Sequence, residues 1–161
     1  MLSEESLGLD KSQWLNDKQL GLALLAAPVV WLALYVLDAR GISLAWMLDA
    51  PSLFFMLVIV RPVLEEIVFR GLLQGCLLKH RCFFSMFTPV QWGISYANIL
   101  VSVFFTALHL FSHVWWVALT VLIPSLIFGY FRDRYDGFLL PSIALHCFYN
   151  AGYFILYPPL Y

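Results

Sequence analysis

Long apolar runs alternate with short polar breaks along this chain. Five runs stand out, at residues 20–37, 51–79, 94–112, 114–131 and 138–156. Each approaches the roughly 20 apolar residues that a helix needs to cross a bilayer. None has the apolar-polar alternation of a barrel strand, and within lipid only helices or closed barrels satisfy all their backbone polar groups. The pattern predicts an all-α chain, a polytopic membrane helix bundle of about five transmembrane helices. Residues 1–19 read as a polar tail carrying Glu4, Glu5, Asp10 and Asp17. A secretory signal would instead open on positive charge ahead of a short apolar core. Residues 20–161 then form a single transmembrane domain, with 42–48 as a short interfacial turn of helix.

The second run is the anomaly. As one helix, residues 51–79 would extend about 43 Å at about 1.5 Å per residue, against a hydrocarbon core of about 30 Å. This helix either tilts and protrudes or breaks near Arg61-Pro62, because proline lacks the amide donor and clashes one turn back. Gly71 and Gly75, four apart, offer a smooth face for close helix contact. Lys and Arg placement sets the orientation. With five spans, Lys11, Lys18, Lys79, Arg81, Arg132 and Arg134 share one side and Arg40 stands on the other. The N-terminus is therefore predicted cytoplasmic and the C-terminus external.

Composition agrees with a chain dissolved in lipid: 62% of residues are hydrophobic and 12% charged, where soluble domains run nearer half and a quarter. Membrane lipid is thus an expected partner. A net charge of −1 without a basic run argues against nucleic acid. Cys76, Cys82 and Cys147 have no metal-finger spacing, and Cys76 and Cys147 read as small hydrophobes in apolar surroundings.

The informative residues are those that lipid should exclude. A charge at mid-membrane costs about 2.5–3.5 kcal/mol even on insertion scales, and such groups usually face a cavity or one another. The second run holds Arg61, Glu65, Glu66 and Arg70, and later runs add His109, His146 and Asn150. Glu66 and Arg70 are four apart and can pair on one helix face, which reads as structural. Glu65 sits about 100° further around; it either faces a cavity as a base or pairs with Arg61. His146 and Asn150 share a face, either as converging hydrogen-bond donors or as a polar clasp between helices. His109 and His113 have the spacing of a two-histidine chelate, with His113 at the span's end. A carboxylate, two histidines and an amide donor together supply what is needed to activate water and stabilise an oxyanion.

Three motifs carry a resemblance. Glu65-Glu66-Ile-Val-Phe-Arg70 matches EExxxR, Phe105-Thr-Ala-Leu-His109 matches FxxxH, and His146-Cys-Phe-Tyr-Asn150 matches HxxxN. In this order, on separate apolar runs, they resemble the CPBP family, which includes CAAX-prenyl endoproteases of the Rce1 type and bacteriocin-processing or immunity proteins. The resemblance implies that the membrane domain is catalytic and hydrolyses a peptide bond near or within the membrane. It implies that Glu65 and His109 activate water and that His146 and Asn150 form the oxyanion site, supported by Glu66, Arg70 and Phe105. No cofactor is expected to be required, with zinc on Glu65, His109 and His146 as the alternative. The substrate implied is a membrane-anchored protein or one bearing a C-terminal signal, since the short chain also resembles compact bacterial members paired with protein-sorting signals. The location implied is the bacterial inner membrane. A non-catalytic immunity or scaffold protein of the same fold is the competing reading; a small transporter would need internal repeats, which the sequence lacks.

Overall fold

The computed structural model of the chain describes residues 14–37, 44–79, 89–90, 93–112 and 115–159. The expectations for most of the polar tail, Arg40, Arg81, Cys82 and His113 lie outside the described residues. A short turn, Trp14–Asn16, leads into helix α1, Lys18–Leu37. A one-turn helix, α2, Ala45–Asp49, stands where the interfacial turn is expected.

The second run folds as one unbroken helix. Segments Pro51–Phe55, Met56–Val60, Arg61–Glu66, Ile67–Gln74 and Gly75–Lys79 follow one another directly, giving helix α3 over 51–79. The sequence predicts either one long helix that tilts and protrudes or a break near Arg61-Pro62; the break does not occur, and the chain widens its turns. Met56–Val60 and Ile67–Gln74 are wound in the wider π form, and the first of these accommodates the missing proline amide without a break. A two-stranded antiparallel hairpin, β1 (Pro89–Val90) and β2 (Ile94–Ser95), precedes helix α4, Tyr96–His109. The third run thus starts as a strand. Ser95 caps α4 by accepting from the Asn98 amide at 3.0 Å, as serine does at helix starts.

The fourth run divides into α5, Trp115–Thr120, and α6, Leu122–Arg134. Pro124 gives the reason. A proline costs little in a helix's first turn, where amides are unpaired anyway, and about 3 kcal/mol or more in the interior of a regular helix. The fifth run is α7, Leu140–Leu156, with Pro141 again in the first turn.

Helix α6 packs between α4 and α7, α1 lies on α7, and α3 lies against α4 and α7. The apolar core holds Leu20, Phe128, Phe131, Tyr135 and Leu145. Beside it the interior is strongly polar: Glu66, Arg70, Gln74, Asn98, Ser102, Ser125, Ser142 and His146 are all buried. The outside is the reverse. Leu22, Leu25, Val29, Leu32 and Val36 on α1 each expose more than half of their surface. Among the described residues no helix is long and apolar enough to cross a membrane.

The ends of the bundle are tied by polar contacts. Asp17 pairs with Arg134 at 2.7 Å, joining the start of α1 to the end of α6. At the other end the Trp46 indole donates to the Phe154 carbonyl at 3.1 Å, joining α2 to the end of α7.

Candidate active site

Helix α3 presents the two glutamates between its widened segments, and neighbouring positions on a helix point about 100° apart. That divergence gives them different surroundings. Glu66 is buried with 1% of its surface exposed. Its Oε1 accepts from His146 Nδ1 at 2.9 Å, and its Oε2 lies 3.6 Å from Arg70 Nε. The pair at 3.6 Å is an ion pair rather than a hydrogen bond, and among the described residues neither Glu66 Oε2 nor Arg70 Nε has a hydrogen-bond partner.

Glu65 faces outward into a cavity and takes both alternatives open in the sequence. Its Oε1 accepts from Arg61 Nε at 2.7 Å, while its Oε2 lies 3.5 Å from His146 Nε2. The Arg61 pairing is therefore real, and it leaves the second oxygen turned toward the histidine. Arg61 itself is 47% exposed, so this pair is solvated rather than sealed.

The histidines come from separate helices. His109, at the last residue of α4, donates Nδ1–H to the Phe105 carbonyl at 2.9 Å, which fixes its ring one turn from the helix end. Phe105 sits between the functional groups: its ring lies 4.5 Å from that of His109, 6.2 Å from that of His146 and 6.0 Å from the Arg70 guanidinium carbon. His146, in mid-α7, stacks on Phe128 at 4.7 Å with planes 21° apart. One turn on, Asn150 donates from Nδ2 to the Leu57 carbonyl at 3.1 Å.

Glu65, His109, His146 and Asn150 all line one cavity of about 260 Å³, with Arg61, Phe105 and Phe128. Its remaining walls are largely apolar, including Trp31, Val117 and Pro124. Four residues expected to act together thus converge from three helices, and Glu66 and Arg70 stand behind them. The clasp expected of Asn150 is also present, through Leu57. Among the described residues no three His, Cys, Asp or Glu side chains are placed to hold a metal ion.

Sequence reasoning missed the layer that holds Arg70. Arg70 Nη2 donates to Ser125 through its carbonyl at 2.8 Å and its hydroxyl at 2.5 Å, and Nη1 reaches Gln74 and Ser102, each at 3.4 Å. Gln74 in turn donates to Asp133 at 2.8 Å, and Ser102 to Asn98 at 3.0 Å. The signal was present: Arg70–Gln74, Asn98–Ser102 and Ser142–His146–Asn150 are polar residues spaced by four inside apolar runs. Phe128 left no such signal, because a phenylalanine among apolar residues looks the same whether it stacks on a histidine or on a leucine.

Comparison with protein families places the chain by its sequence. The model of the Rce1-like family, type II CAAX prenyl endopeptidase, matches residues 46–152. That span covers most of the chain and every residue of the cavity's polar set, and the chain belongs to this family. Membership implies protease activity and association with membranes. No curated protein and no solved structure matches the chain.

Proposed function

We propose that this protein is a membrane-embedded endopeptidase that cleaves a membrane-anchored or C-terminal-signal-bearing protein. The observation that carries the reading is the convergence of Glu65, His109, His146 and Asn150 on one cavity. Water held between Glu65 and His109 attacks the peptide carbonyl carbon as a Glu65 oxygen accepts its proton. Arg61 occupies Oε1, so Oε2 is the accepting oxygen. The new C–O bond pushes the carbonyl electrons onto oxygen. That oxyanion accepts from the remaining Nδ2–H of Asn150 and from His146 Nε2–H. Because Glu66 holds Nδ1–H, His146 serves this step as imidazolium. On collapse the C–N bond breaks, and the proton held by Glu65 passes to the leaving amine. General-base and oxyanion groups each contribute factors of about 10²–10⁴ and 10²–10³.

Embedding in lipid is supported by the inverted distribution of polarity, with charges inside and leucines and valines outside. A patch of that extent exposed to water would drive association. In α4 the 14 residues reach about 21 Å, short of a full bilayer, and bilayers thin locally around short helices. The ties Asp17–Arg134 and Trp46–Phe154 are compatible with five crossings.

The test uses a fluorescent farnesylated peptide ending in a CAAX quartet and the full chain in liposomes, with products read by mass spectrometry. The wild type is expected to cleave it, and Glu65→Gln at least about a hundredfold more slowly. An intact peptide with the wild type, or equal rates for the two proteins, would sink the reading.

A further inference from the structure

Pro62 is buried in the interior of α3, where proline is the least favourable residue a helix can hold. The surrounding hydrogen bonds show what it does there. In a regular helix the Arg61 amide would donate to the Leu57 carbonyl, four residues back. In the widened segment it reaches back five, to Met56. The next donor in that wider pattern would be the amide of residue 62, and proline has none. The Leu57 carbonyl is therefore left to an outside donor. Asn150 Nδ2 takes it at 3.1 Å, from a position 93 residues away. Among the described residues Asn150 makes no other side-chain hydrogen bond, and its side chain lines the cavity.

We infer that Pro62 is a positioning residue for Asn150. By withholding an amide it keeps the Leu57 carbonyl open as a fixed acceptor. That acceptor captures one Nδ2 hydrogen and orients the amide, leaving the second hydrogen for the cavity. The inference rests on the reading that Asn150 donates to the oxyanion. It explains why a helix that must carry Glu65 and Glu66 also carries a proline three residues before them.

The experiment is a double-mutant cycle of Pro62→Ala and Asn150→Ala in the full chain, with the farnesylated peptide as probe. In parallel, ¹⁵N-asparagine labelling reports the side-chain amides of Asn16, Asn98 and Asn150, and Asn150→Ala identifies the third. Alanine favours helix and is compatible with folding. In Pro62→Ala the new amide competes for the Leu57 carbonyl. The Asn150 amide signals are expected to shift and to exchange faster with solvent. The kcat is expected to fall at least about tenfold, up to the loss of about 10²–10³ that follows outright removal of an oxyanion donor, with KM held within about twofold and melting temperature held or raised. The double variant is expected to lose no more than Asn150→Ala alone. Unmoved Asn150 signals overturn the inference, as do multiplicative losses in the cycle or an unchanged kcat in Pro62→Ala while Asn150→Ala is impaired. Full activity in Asn150→Ala with displaced amide signals in Pro62→Ala removes the oxyanion reading itself, and the inference with it.

Discussion

Glu65 and Glu66 are adjacent and chemically identical, yet their surroundings assign them different work. Glu66 is 1% exposed between His146 and Arg70. Removing its charge would leave the Arg70 guanidinium, also 1% exposed, without its adjacent carboxylate and with only the more distant Asp133 to offset it. Breaking a buried pair on one side costs about 3–5 kcal/mol, so Glu66→Gln is expected to lower the melting temperature strongly. Glu65 shares its proton-accepting face with a cavity and pairs with a half-exposed Arg61. Exposed pairs contribute at most about 1 kcal/mol. Glu65→Gln is therefore expected to unfold near the wild-type temperature while losing turnover. Thermal melts of both variants beside their cleavage rates separate the two roles; a strongly destabilised Glu65→Gln would reverse the assignment.

Helix contacts depend on a few glycines whose surroundings differ sharply. A Cβ at Gly152 of α7 would overlap the Trp31 ring of α1, and one at Gly129 of α6 would overlap the Asn98 amide of α4. Trp31 cannot simply swing aside, since it packs on Phe148 at 5.0 Å and forms part of the cavity wall. Gly152→Ala is expected to cost about 1–3 kcal/mol, as overpacking does. Gly21 in α1 has nothing within 4 Å of the Cβ site. Gly21→Ala should stabilise the protein by about 0.4–1 kcal/mol through the unfolded chain. Melting temperatures that moved together in both variants would contradict this packing. Gly71 and Gly75, expected to form a smooth helix face, approach Leu139 and Arg132; the close contact is there, but with a loop side chain and a guanidinium.

At the scale of the whole molecule, one polar tie fastens the start of the chain to the end of α6. Burial pushes the Asp17 carboxyl up, but hydrogen bonds from Arg134, Tyr135 and the Gln19 amide outweigh it and hold the group below its ordinary value. A carboxyl lowered on folding adds stability above its unfolded value of about 3.9, and that stability is lost as pH falls through the folded value. Tyr135, pushed up to about 12 by burial and by Asp17, behaves oppositely: its contribution is whole below about pH 10 and is lost as pH rises through about 12. Asp17→Asn is expected to lower the melting temperature at neutral pH and to flatten its decline below about pH 4. A variant whose acid limb matched the wild type would show that Asp17 does not govern it. Reporter fusions test the crossings: placed after Arg40 and after the last residue, both are expected to read as external, and a cytoplasmic C-terminal signal would remove the five-crossing arrangement.

The sequence by itself determined the helical class and the polar set. Lipid-like apolar runs make every intruding charge conspicuous, and residues four apart share a helix face whatever the fold. Glu66–Arg70, His146–Asn150 and Phe105–His109 were legible for that local reason. The partners of these pairs were not, because they lie 18 to 93 residues away, and no periodicity reports which helices become neighbours. Only the tertiary structure decided that Glu66 rather than Glu65 holds His146 Nδ1, that Ser125 receives Arg70, and that Phe128 stacks on His146. It also decided the course of α3. Proline forbids a regular helix at position 62, but whether the chain kinks or widens depends on a donor from elsewhere that can satisfy the carbonyl left open, and Asn150 supplies it.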